Sequence, residues 1–158
     1  MSSAQRKPGP AYWQGRITRC ETLVQGWDSY DAVPPTPEVI TKAREFLALV
    51  IEKDAPIDRL NATVVGGIGF TFREARDSAE PNNETLSAYV EFRNTETCHA
   101  LYIDPAQDVS AAPAHKIETT KKGYEQLLED IVLYLREHDE QARSGGPDGE
   151  GVGPGGAV

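Results

Sequence analysis

Three prolines within four residues, Pro34-Pro35-Thr36-Pro37, limit the fold of this chain more than any other stretch. Each proline holds its own φ near −65° and pushes the residue before it toward extended geometry. The run is therefore a stiff, extended lead into whatever follows. Thr36 supplies an N-cap oxygen, Pro37 suits the first helical position, and Glu38 lies near the positive end of a helix dipole. Behind it Val39, Ile40, Ala43, Phe46, Leu47 and Val50 share one helical face, while Lys42, Arg44, Glu45, Glu52 and Lys53 fall largely off it. The spacing predicts a helix over residues 38–53, stopped by Asp54-Ala55-Pro56. In front of the prolines lies Gly26-Trp27-Asp28-Ser29-Tyr30-Asp31-Ala32-Val33, an entry loop with two aromatics beside two carboxylates.

The rest of the chain is organised around that loop and helix. Over residues 12–25, Trp13, Ile17, Cys20 and Leu23 recur at helical spacing, and Gly26 stands where a glycine stop would be. From residue 63 the period changes. Ile68, Phe70 and Phe72 alternate with Gly69 and Thr71, a strand with one buried face, and Gly66-Gly67 before it predicts a bulge, tight turn or close backbone approach. Residues 73–84 are polar, with Pro81-Asn82-Asn83 as turn chemistry. Leu86, Ala88, Val90 and Phe92 then alternate against Ser87, Tyr89, Glu91 and Arg93. A four-residue hairpin loop over 94–97 leads into a strand over 98–103, with Leu101 and Ile103 on one face and Ala100 and Tyr102 on the other. Asp104-Pro105 stops that strand, residues 106–114 form a small-residue loop, and 116–119 offer a short edge strand. A second long helix over 123–138 carries the stripe Tyr124, Leu127, Leu128, Ile131 and Leu135, broadened by Val132 and Tyr134.

This order predicts an α+β fold: a small antiparallel β-meander of three to four strands with two to three helices packed on one face. One domain spans residues 11–140, between a polar tail over 1–10 and a Gly/Pro-rich tail over 141–158, both expected to be disordered. The sheet's other face is left for solvent or a partner, and Tyr89, Arg93, Ala100 and Tyr102 are expected to populate it.

Charge narrows the classes of partner. Asp and Glu total 25 against 16 Lys and Arg, a net charge of −9. Nucleic acid and anionic lipid both reward a basic surface, so neither is expected as a partner; a basic protein is. No apolar run approaches the ~20 residues that cross a bilayer. Residues 1–10 have basic side chains but no apolar stretch after them, so no signal peptide is expected. Cys20 and Cys98 form no CxxC pair, which favours a reducing, cytoplasmic setting. The Asn61-Ala62-Thr63 and Asn83-Glu84-Thr85 sequons are then coincidental.

The stretch from Gly26 to Pro37, with its helix, resembles a group of small uncharacterised bacterial proteins that carry a GWDGYGAxPP-like motif, a helix, and a PTPDGG-like turn into a β-meander. Val64-Val65-Gly66-Gly67-Ile68-Gly69-Phe70 matches that turn and strand in its two glycines and its alternation. The chain departs from the pattern at Ser29 and Asp31, where glycines are usual, and at Val64-Val65, where Pro-Asp-like residues are usual. The resemblance covers residues 23–72, with the later strands matching by pattern. It implies this fold and a bacterial origin, and no activity.

Candidate chemistry is sparse. Trp27, Asp28, Tyr30 and Asp31 can form a recognition surface, because Trp and Tyr offer large contact areas at low entropic cost. The competing reading makes the loop a folding staple, with Trp27 packed on the helix and Asp28 accepting backbone N–H bonds. Residues 34–37 satisfy PxxP, but helix entry explains them better. Gly66-Gly67-Ile68-Gly69 lacks the Lys-Ser/Thr of a phosphate loop and leads into a strand, so it is rejected as one. His99, His115 and His138 are scattered, and Cys98 and His99 point to opposite faces of a strand, so no metal site is expected. Nothing local supports a Cys98 nucleophile, and Glu74, Asp77, Glu80 and Glu84 sit together in a polar loop where solvation accounts for them.

The leading expectation is therefore a non-enzymatic interaction module without cofactor or metal. It would bind a protein partner through the loop over residues 27–35 or through the open sheet face, in an antitoxin-, immunity- or chaperone-like role. The partner-binding residues are Trp27, Asp28, Tyr30, Asp31, Tyr89 and Tyr102. Two alternatives stand beside it: a small enzyme or small-molecule-binding domain with a pocket between sheet and loop, and a structural homodimer joined through the third strand or the open face.

Overall fold

The computed structural model describes residues 8–74, 86–95, 97–103 and 114–148, with 137–148 described through their backbone alone. The elements in chain order are α1 (Pro10–Glu21), α2 (Pro37–Glu52), β1 (Ile57–Ala62), β2 (Ile68–Phe72), β3 (Ser87–Phe92), β4 (Cys98–Ile103), β5 (His115–Ile117) and α3 (Lys121–Asp148). The strands form one sheet in the order β1-β2-β3-β4-β5, every neighbour antiparallel. The fold is α+β, a small meander with helices, as the pattern predicts. The expected turn at Pro81-Asn82-Asn83, most of the loop over 106–114, and the ends of both tails lie outside the described residues.

Register assigns each side chain to a face. Leu60, Phe70, Val90 and Ala100 form one row across the sheet, and Ala62, Ile68, Phe92, Cys98 and Ile117 form the next. Both rows face the helices. Phe46 of α2 comes down at their centre, fully buried, its ring 4.9 Å from Phe70, 5.4 Å from Phe92 and 5.5 Å from Tyr124 of α3. The Phe70 and Tyr124 contacts are edge-on, the arrangement aromatic quadrupoles favour. The α3 stripe Tyr124, Leu127, Leu128, Ile131 and Leu135 is buried as its spacing requires. The helix itself continues past residue 138, its expected end, to Asp148, so residues 141–148 of the stretch expected to be a disordered tail are helical.

The start of α2 follows its local chemistry. Thr36 has extended dihedrals and its hydroxyl accepts from Val39 N at 3.2 Å, with Pro37 opening the first turn.

Three features differ from expectation. The sheet has five strands because β1, Ile-Asp-Arg-Leu-Asn-Ala, is a strand that its sequence does not announce. It lies at the sheet edge, is irregular in register between Ile57 and Arg59, and buries only Leu60. Packing of α1 against it completes the edge: Arg16 donates Nε and Nη2 to Leu60 O at 3.1 and 3.0 Å, and Nη2 also reaches Asn61 Oδ1. A charged side chain seated on a carbonyl of the edge strand blunts an edge that would invite further pairing. Second, α1 ends at Glu21 rather than at Gly26, which belongs to the entry loop.

The third correction concerns β4. Ala100 is 1 % exposed and faces the helices, as does Tyr102, whose ring lies 4.8 Å from that of Tyr134 on α3. Leu101 and Ile103 take the open face. Small side chains face inward at Cys98 and Ala100 because the Phe46 and Tyr124 rings already fill that volume, and close packing leaves no room for two branched residues as well.

Candidate functional site

The loop over residues 26–36 is built from its own backbone outward. Gly26 N donates to Ala32 O at 2.8 Å, closing the loop at its base, and Ser29 N donates to Gly26 O at 2.8 Å. Asp28 Oδ1 accepts from Tyr30 N at 2.8 Å and Ala32 N at 3.2 Å, so one carboxylate organises the whole turn. Gly26 has φ +77° and Ser29 φ +73°. Ser29 thus holds left-handed geometry, in which an L side chain is strained.

A second set of bonds anchors the loop to the sheet. The Trp27 indole Nε1 donates to Val33 O at 3.1 Å. Val33 N in turn donates to Val64 O at 2.9 Å, and Val33 bridges Val65 in parallel. The partner turn, residues 63–67, is closed by Thr63 N on Gly67 O and by Gly67 N on Thr63 Oγ1, each at 2.9 Å. Its glycines serve close approach: a Cβ at Gly67 would lie 2.6 Å from Phe92 O, and one at Gly66 would lie 3.3 Å from Pro34 O. Loop, β1–β2 turn and β3 thus meet at one end of the sheet.

This arrangement divides the predicted site residues by role. Trp27 and Asp28 are half-buried and spent on internal bonds, the staple role. Tyr30 is 81 % exposed at the tip, with Asp31 exposed beside it. Val64 and Val65, which the sequence reading did not single out, are also exposed on the turn that the loop is bonded to. Their signal was the departure from Pro-Asp turn chemistry to two apolar residues.

The two sheet tyrosines are not brought together. Tyr89 is on the open face, in a row with Arg59, Thr71 and Leu101, and its ring covers Gly69 of the adjacent strand. Burial, then Glu91, pushes its hydroxyl up to about 12. Tyr102 packs beneath α3 on the opposite face, so it leaves the open-face set. Beside Tyr89, the row Asn61, Gly69, Glu91, His99 and Lys116 places His99 between the Glu91 carboxylate and the Lys116 ammonium. Burial first, then Arg93 and Lys116, lowers the His99 imidazole below its ordinary range.

Nucleophilic chemistry finds little here. Cys98 is fully buried against the helices, and burial pushes its thiol up to about 12, far from a reactive thiolate. Among the described residues no three His, Cys, Asp or Glu converge as a metal set, and no helix is long and apolar enough to cross a membrane. Among the described residues, cavities away from the loop include a small one of about 90 Å³ beside Trp13, Ala55 and Ile57, and a shallow groove of about 370 Å³ lined by Lys53, Leu128, Glu129, Val132 and Leu133. Comparison with known proteins returns no matching family model, curated protein or solved structure.

Proposed function

We propose that this chain is a non-enzymatic protein-interaction module, bacterial and cytoplasmic, that presents Tyr30 and Asp31 to a protein partner with a basic surface. The observation that carries this reading is Tyr30 itself: a large aromatic, 81 % exposed, on a loop whose backbone is fixed by both bonds of Asp28 and by the Trp27–Val33 bond. A pre-organised aromatic loses little entropy on binding, which is what a contact residue at the centre of an interface requires. The exposed Val64 and Val65 extend the apolar area, and Asp31 with the net charge of −9 favours a cationic counterpart. Free, buried Cys20 and Cys98 support a reducing compartment. The left-handed Ser29 supports kinship with the GWDGYGAxPP-like group. An antitoxin-, immunity- or chaperone-like role is one form this module can take.

The test uses affinity capture from the source organism with wild type beside Tyr30→Ala/Asp31→Asn, a variant that spares Trp27 and Asp28. The expected result is a partner held by wild type and lost by the folded variant. Equal capture by both, or capture by neither, overturns the loop as recognition site.

A further inference from the structure

The outer flank of α3 carries a surface that the core does not explain. Leu133 is 57 % exposed, and with Val132 and the neighbouring Leu128 it lines the shallow groove of about 370 Å³, whose rim holds Glu129 and Lys53. Glu129, Val132, Leu133 and Arg136 follow the helical repeat i, i+3, i+4, i+7 and so share one stripe, turned away from the buried stripe through Tyr124 and Ile131. The stripe has an apolar pair at its middle, a carboxylate one turn toward the N-terminus and a guanidinium one turn toward the C-terminus.

That order is complementary to its own reverse. We propose that α3 is the contact through which two copies of this chain associate, packed antiparallel about a two-fold axis that crosses between Val132 and Leu133. The axis sets Val132 against the partner's Leu133, and the same axis sets Glu129 against the partner's Arg136, twice over by symmetry. In a parallel pairing Glu129 would meet the partner's Glu129 and Arg136 the partner's Arg136, which like-charge repulsion disfavours. The four-residue charge order thus fits a second copy and favours the antiparallel direction over the parallel one. The four positions span about two helical turns, ~10 Å of axis, so the contact is small and the association weak and concentration-dependent. The surface lies on α3, apart from the loop that presents Tyr30, and does not depend on that loop's role.

Sedimentation equilibrium of the full chain up to millimolar concentration is the test. Wild type is expected to move from the 17.3 kDa monomer toward twice that mass. Leu133→Asp is expected to stay monomeric. Glu129→Arg and Arg136→Glu each create like-charge contacts in a homodimer, and each should raise the dissociation constant about tenfold. Mixing the two reversed variants restores both pairs at once, as does the double reversal within one chain, so both should recover wild-type association. All three substituted positions are on the solvent side, and circular dichroism checks that each variant folds. A wild type that stays monomeric at millimolar concentration overturns the proposal. So does a dimer that the charge reversals leave unchanged, or one that mixing them fails to restore.

Discussion

Two neighbouring positions in the entry loop should respond to opposite substitutions with opposite sign. Ser29 has φ +73° and is exposed, so Ser29→Gly removes the strain of a side chain in left-handed geometry, about 1–2 kcal/mol. Against this stands the larger freedom of glycine in the unfolded chain, about 0.4–1 kcal/mol. The net expectation is a gain of about 0.5–1 kcal/mol. Gly26 has φ +77°, and a Cβ there would lie 3.2 Å from Tyr30 O, a backbone atom held in place by the loop. Gly26→Ala therefore incurs the same strain plus crowding, partly offset by reduced unfolded-state freedom, for a net loss of about 1 kcal/mol. Urea unfolding followed by tryptophan fluorescence and circular dichroism reads both. With a slope of about 2 kcal/mol per molar for a chain of this size, the midpoint should rise by about 0.3–0.5 M for Ser29→Gly and fall by about 0.5 M for Gly26→Ala, the slopes unchanged. A Ser29→Gly protein no more stable than wild type would refute the claim that loop strain resides at that residue.

Two further perturbations probe the interior. Phe46→Ala empties the space between α2, α3 and three strand phenylalanines and should cost about 3–5 kcal/mol, enough to leave the chain largely unfolded by circular dichroism; a loss under 1 kcal/mol would show that the cluster is not the centre of the core. In alkaline solution Tyr89, Tyr102 and Tyr124, each pushed up to about 12 chiefly by burial, hold their protons more tightly folded than unfolded, where tyrosine ionises near 10. Their contribution is complete below about pH 10 and is lost as pH rises toward 12, so the urea midpoint should fall across that window. A midpoint steady from pH 10 to 12, with tyrosinate absorbance rising in the folded protein, would contradict the burial.

Several parts of this molecule are local enough to be read from adjacent residues. The cap at Thr36, the proline at the first turn of α2, and the helical stripes of α2 and α3 need only side-chain spacing and dihedral preference. The alternation of Ile68, Phe70 and Phe72 likewise identifies β2, because a strand buried on one face must repeat every second residue. The division of the entry loop into an internal and a solvent part was half legible. Aspartate and tryptophan in a tight turn announce hydrogen bonds, but which aromatic is left outside depends on what the loop is bonded to.

The remainder was decided between elements. Nothing in Ile57–Ala62 marks a strand; β2 supplies its hydrogen bonds and α1 covers its edge through Arg16, a residue 44 positions from the carbonyl it reaches. In Cys98–Ile103 two alternations compete, and branched Leu101 and Ile103 look like the better core. Pairing of Ala100 with Val90 and Cys98 with Phe92 commits the opposite set inward, since a shift of one residue moves every side chain to the other face. The Phe46 and Tyr124 rings then occupy the volume that Leu101 and Ile103 would have needed. Spacing within a segment determines which residues can share a face; which face is buried is settled by the volume that distant residues have already filled.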